Sequence, residues 1–175
     1  GEEDTRVLKH AFLNAYFQTG LKGNIDEAVI ARTAKTELKG IEEKYEKIDE
    51  IPFDFSRRRL SVVVSDGKKK QLITKGAVEE ILSICTMVDY KGEVSEITRD
   101  IKQNILSMTK DLNKQGLRVV AVAQKNDIAD VKSFSVKDES KMVLIGFIGF
   151  LDPPKESAKE EIARLNKDGI RVIVV

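Results

Sequence analysis

Cys85 is the only cysteine and His10 the only histidine, so this chain holds no internal disulfide, no Cys/His zinc site and no Ser-His triad. Charge of one sign is also lacking. Thirty basic residues against 29 acidic ones leave a formal net charge of +1, so nothing global draws the chain to nucleic acid or to an anionic membrane, and any basic function is local. No apolar run reaches the ~18 residues of a membrane-spanning helix, and the acidic start GEEDTRVLKH is unlike a signal sequence, so the chain as given is expected to be soluble and untargeted. Neither glycine-rich nucleotide signature, GxxxxGK[ST] or GxGxxG, occurs. A bound nucleotide therefore has to be held by side chains.

What is present is a foldable chain of 175 residues, 41% hydrophobic, with alternating helical and strand patterns. Helical spacing of Val7, Leu8, Ala11, Phe12, Ala15 and Tyr16 predicts a helix over 5–18 that stops near Gly20, and a second is expected at about 25–36. The run from Tyr45 to Phe53 reads as extended, with Pro52 demoting that end to an edge or turn. Leu60, Val62 and Val64 alternate as a strand, Asp66-Gly67 signals a hairpin, and KQLITK returns. A tight turn there sets Arg58 roughly opposite Lys75; a looser loop slides this by a residue or two. Then come a short helix at about 77–85 with Cys85 on its apolar face, a polar connection containing KGE, and a long helix at about 96–114 that Gly116 ends. LRVVAVAQK and MVLIGFIGFL read as buried strands, Pro153-Pro154 break the chain, residues 155–168 form a last helix, and IRVIVV a final strand.

Several short stretches carry chemistry. In EIPFDFSRRRLSVVV, three consecutive arginines follow two phenylalanines and an acid, which is either a solvated strand entrance or a pocket wall that stacks a flat ring beside an anion. GNIDEAV places Asn24 as a helix N-cap with Glu27 at the capping-box position. Asp26 in the first turn complements the helix dipole or accepts a hydrogen bond from an exocyclic amine. TKGAVEE brings Lys75, the close backbone approach of Gly76 and a helix N-terminus to one spot. Arg118, in QGLRVVAV, either pairs with a buried acid or reaches a ligand phosphate.

The ordered set DEAV, IPFDFSRRRLSVVV, KGAVEEIL, GLRVVAVA, GFLDPPKES and DGIRVIVV resembles the nucleotide-binding domain of P-type ATPases, the cation pumps that pass through an aspartyl phosphate. LNAYFQTGLKGNIDEAV with KIDEIPFDFSRRRLSVVV is most similar to the bacterial magnesium-transporting members. The resemblance implies an α+β fold, a largely antiparallel twisted sheet flanked by helices. It implies a nucleotide-binding domain over 1–151, a hinge at 152–154 (Asp152, Pro153, Pro154) and a fragment of the phosphorylation domain over 155–175. It also implies roles: Phe53 stacks on adenine, Asp26 lies near the adenine amine, Arg58 stands where many members have a lysine, Lys75 and Gly76 form the back of the pocket, Arg118 reaches the phosphates, and Val120 is an apolar wall. Val78 replaces a proline usual in the family.

The ligand so implied is ATP, with magnesium arriving on the nucleotide; no residue of this chain is expected to hold a metal. The family's DKTG nucleophile and TGD motifs do not occur, so no catalytic residue is expected here and no turnover by this chain alone. The implied partners are the phosphorylation, actuator and membrane domains of one parent chain at the cytoplasmic face of the plasma membrane. Nucleic acid and direct membrane contact are not expected, and the fragment should be monomeric. Two other readings stay open: a hydrolase using Asp152 as nucleophile, and a non-enzymatic module whose arginine run docks an acidic partner.

Overall fold

The computed structural model describes residues 4–126, 128, 131, 133–151 and 156–171. Helix α1 (Thr5–Phe17) starts where the Asp4 carboxylate accepts the Arg6 amide at 2.8 Å, and α2 (Asn24–Thr33) follows. A 3-10 turn at Ile41–Lys44 leads into β1 (Glu46–Asp54), β2 (Arg59–Ser65) and β3 (Lys70–Ala77). Next are α3 (Val78–Ile84), β4 (Cys85–Tyr90), β5 (Glu93–Glu96), α4 (Arg99–Lys114), β6 (Leu117–Lys125), β7 (Met142–Leu151) and α5 (Glu156–Lys167). The strands form one sheet in the order β1-β2-β3-β6-β7-β4-β5, antiparallel except between β4 and β7. This is the expected α+β architecture. Asp152, Pro153 and Pro154 of the expected hinge, and 172–175 of the expected final strand, lie outside the described residues.

Strand alternation gives the sheet two sealed faces. Leu60, Val62, Val64, Ile73 and Val122 pack under α1 and α2, against Ala11, Phe12 and Val29. Ile51, Val63, Leu72, Ala121 and Ala123 face the other way, against Val78, Ile81 and Leu82 of α3 and against Met142 and Leu144. Every residue of β2 is buried, and Val62, Val63 and Val64 are wholly so, each worth about 1.5–3 kcal/mol of burial. A helix side chain also ties the strands together: the amide of Asn14 donates to the carbonyls of Ile73 (3.0 Å) and Leu60 (3.4 Å). His10 is buried on α1 with its Nδ1 2.6 Å from the Arg6 carbonyl oxygen, and burial lowers its pKa below the ordinary histidine range.

Three expectations shift. The β2–β3 loop is four residues, Asp66 to Lys69, because the Asp66 carboxylate accepts the amides of both Lys68 and Lys69; the register therefore slides by two, and Leu60, not Arg58, faces Lys75. The polar connection around KGE is a hairpin, with Lys91 (φ 53°) and Gly92 (φ 94°) forming a two-residue left-handed turn between Tyr90 and Glu93. Cys85 is buried as expected, but α3 ends before it and Cys85 opens β4.

Burial pushes the Cys85 thiol up to about 12 from about 9. Because the unfolded chain loses this proton first, the stabilisation is intact below pH 9 and lost as pH rises from there toward 12. A thiol reagent at pH 8 should therefore label Cys85 only at the rate of unfolding, and labelling faster than global unfolding would contradict a sealed thiol.

Candidate functional site

The site assembles where α2 meets the sheet end that holds the β1–β2 turn. Four residues bridge β1 and β2. The Asp54 carboxylate accepts the Arg57 amide at 2.8 Å and the Ser56 hydroxyl, while Arg58 takes a left-handed backbone (φ 45°) with its amide on the Asp54 carbonyl at 2.7 Å. Across the sheet the paired row reads Asp54, Arg59, Gly76, Ala121 and Phe147. Gly76 is required there by space: a Cβ would stand 2.5 Å from both the Arg58 carbonyl oxygen and the Arg59 Cβ. The expectation of a close backbone approach at Gly76 thus has a specific cause, the incoming β1–β2 turn.

Helix α2 supplies the acid. Its cap is Gly23 rather than Asn24, and the capping carboxylate is Asp26 rather than Glu27. Asp26 Oδ2 accepts the Gly23 amide at 3.1 Å and the Gln18 side-chain amide at 2.9 Å, and Oδ1 takes the ammonium of Lys75. The buried carboxylate captures the cap because the helix N-terminus satisfies one of its lone pairs, whereas Glu27 is exposed and stays in water. Lys75 is 5% exposed and Asp26 6%, so this is a buried ion pair. Burial pulls the Lys75 pKa below the ordinary lysine range, and the Asp26 charge and hydrogen bond oppose that pull.

Beside the pair opens a cavity of about 320 Å³ lined by Gln18, Gly20, Leu21, Asp26, Glu50, Pro52, Phe53, Phe55 and Leu60. Phe53 is 49% exposed and meets Phe55 edge-on, with ring centroids 5.3 Å apart. Glu50 marks the polar rim. Burial alone would raise its carboxyl, but the Lys47 ammonium and two Thr19 donors outweigh that and hold it below the usual carboxylate range. The chemistry on offer is a half-exposed aromatic face, apolar walls and one wall acid, Asp26, whose charge is paired behind the wall.

Asp26 and Phe53 therefore share the cavity wall, and Lys75 lies behind it, joined through its ion pair to Asp26; Lys75, Gly76, Val120 and Arg118 are not lining residues. Val120 pairs with Ala77 at the end of β3, and Arg118 lies two residues further along β6, on the same strand face as Val120 and Val122. Arg118 is exposed there, opposite Phe150. The Arg58 guanidinium is aimed elsewhere, 2.8 Å from Glu80 on α3, and is not in the cavity wall.

The neighbouring arginines correct the expectation of solvated strand residues. Arg57 Nη1 binds both carboxylate oxygens of Glu139, at 3.0 and 2.7 Å, while Arg59 Nε and the Ser61 hydroxyl reach the same group at 2.8 and 2.7 Å. The Glu139 side chain is wholly buried. Arg57 Nη2 also holds the Pro52 carbonyl at 2.8 Å, directly before Phe53. A signal for part of this was present: period-two alternation puts Arg59 on the sealed Ser61 and Val63 face, where an arginine demands an acid. Nothing in KDESK marks which acid. Gln18, Leu21 and Phe55 of the cavity were likewise missed.

Residues 10–157 match the family model of the P-type ATPase cytoplasmic domain N, and the chain belongs to that family. Its individual likenesses are to whole pumps. It is 43% identical over 176 residues, all of this chain, to the magnesium-transporting ATPase, P-type 1 of Escherichia coli strain K12, and equally to that of Salmonella typhimurium strain LT2. It is 28% identical over 173 residues, 99% of this chain, to calcium-transporting ATPase 1 of Bacillus cereus. The chain spans about a fifth of the length of these relatives, 20%, 20% and 19% respectively.

Glu139→Gln leaves two arginines facing a neutral amide in a sealed site and should cost about 3–5 kcal/mol in urea unfolding. Glu80→Gln, which breaks only the exposed Arg58 contact, should cost far less. Equal effects of the two substitutions would contradict the buried clamp.

Proposed function

We propose that this chain is the ATP-binding domain of a P-type cation pump, with magnesium as the transported ion. The observation that carries the reading is the half-exposed Phe53 ring beside a 320 Å³ cavity whose wall includes Asp26, the acid paired with Lys75, in a chain of the N-domain family. The volume lies at the small end for ligand pockets, enough for a heterocycle while the phosphates extend outside. Adenine stacks on Phe53, Lys75 and Gly76 close the back, Val120 walls the strand side, and Arg118 receives the phosphates. Arg58, paired with Glu80 outside the cavity wall, reaches the phosphates only by exchanging Glu80 for phosphate oxygens. Magnesium arrives with the nucleotide. Identity to magnesium-transporting relatives over the full chain supports the choice of ion.

In the parent protein, residues 152–154 act as the hinge and 155–175 begin the phosphorylation domain, whose aspartate accepts the γ-phosphate. The domain works at the cytoplasmic face of a bacterial plasma membrane beside the actuator and membrane domains. Alone it holds ATP without splitting it, because the acceptor aspartate belongs to another domain.

Stacking contributes about 1–3 kcal/mol and one charge-assisted hydrogen bond about 1.5–3, against at least about 4 for lost translational and rotational freedom. These two contacts only just offset that loss, so binding is weak, with Kd in the millimolar range or above. In an amide NMR titration with ATP, signals of Asp26, Phe53, Lys75 and Arg118 should move together, and Phe53→Ala should weaken binding about tenfold or more. Signals that stay in place in the wild type at millimolar ATP would rule out the site.

A further inference from the structure

We infer that Gln18 is the residue that reads the purine 6-position, accepting a hydrogen bond from an exocyclic amine through its Oε1; this rests on the nucleotide site proposed above. The carboxylate of Asp26 is acceptor-only, so the Gln18 amide must turn its Nε2 toward Asp26 Oδ2, where it sits at 2.9 Å. The reverse orientation would set two acceptors against each other. Gln18 is 8% exposed and lines the cavity with Phe53, so its Oε1 is held at a wall rather than sweeping through solvent.

Its direction is marked by Gly20, another wall residue: a Cβ built there would lie 3.8 Å from Gln18 Oε1. The missing side chain at Gly20 leaves that oxygen uncovered.

Asp26 is poorly placed to do the same reading alone. Its Oδ2 already accepts from Gln18 and Gly23, which uses both lone pairs, and its Oδ1 is engaged by the Lys75 ammonium. Gln18 Oε1 has no hydrogen-bond partner among the described residues. A carbonyl at the purine 6-position would meet this oxygen as a second acceptor and be rejected, whereas an amine is welcomed.

The test compares ATP with inosine triphosphate, which carries an oxygen in place of the 6-amine, in NMR titrations of the wild type, Gln18→Met and Gly20→Val. The wild type should prefer ATP by about tenfold, the effect of one hydrogen bond. Gln18→Met keeps the length of the side chain and removes the acceptor, so the ratio of the two affinities should fall toward one. A role limited to supporting Asp26 would weaken both nucleotides equally and leave the ratio unmoved. Gly20 is exposed, so Gly20→Val keeps the fold and crowds Oε1, and it should lower the ratio even if Gln18→Met proves unstable. A wild type that binds both nucleotides alike, or variants that keep the ratio, would overturn the assignment of Gln18 while leaving the nucleotide site standing. A wild type that binds neither would overturn both.

Discussion

The ion pair between Asp26 and Lys75 is the constraint around which the site end of the molecule is organised. Two side chains less than a tenth exposed carry opposite charges, one from the first turn of α2 and one from the middle of a strand face otherwise filled by Leu60, Val62 and Ile73. Desolvating both is expensive, and the arrangement is stable only because the remaining lone pairs of the carboxylate are used by Gly23 and Gln18. The pair consequently fixes where α2 begins, how the Gln18 side chain is turned and what chemical character the cavity wall has. A lysine that looks in the sequence like an anion trap is neutralised in place by Asp26.

On the opposite face of the sheet, Glu139 performs a matching task. It draws Arg57, Arg59 and Ser61 to one buried carboxylate, and Arg57 passes the restraint on to the Pro52 carbonyl. The strand end that carries Phe53 is thereby held from behind, while its ring remains half open to solvent on the cavity side. Neither clamp uses a glycine cradle. Both rely on side chains whose partners are distant in sequence, Asp26 with Lys75 and Arg57 with Glu139.

That distance explains what was legible beforehand. Elements with a strong period, such as α1 and the valine-rich β2, follow directly from spacing, and a family resemblance supplied Asp26, Phe53 and Lys75 as a group. The hairpin takes the looser of the two registers that the sequence left open, sliding by two residues because Asp66 caps two amides and enlarges the loop, a local hydrogen-bond choice that Asp66-Gly67 alone does not reveal. The β4–β5 hairpin was hidden because its turn puts a lysine, Lys91, in left-handed backbone where asparagine is the usual signal. The arginine run misled in the other direction. Three consecutive charges suggest a wet surface, yet strand alternation sends Arg59, and the β1–β2 turn sends Arg57, to a sealed acid, and only Arg58 points outward.

The aromatic plate also rides on the outermost strand. β1 has β2 as its single neighbour, and its pairing is irregular between Ile51 and Asp54, with Pro52 inside that gap. A proline at a sheet margin denies an incoming strand a donor, so this border is guarded against edge-to-edge association. The same irregular rung leaves Pro52 and Phe53 without a paired residue on β2, so the Arg57 bond to the Pro52 carbonyl takes over the restraint that a ladder pair would give.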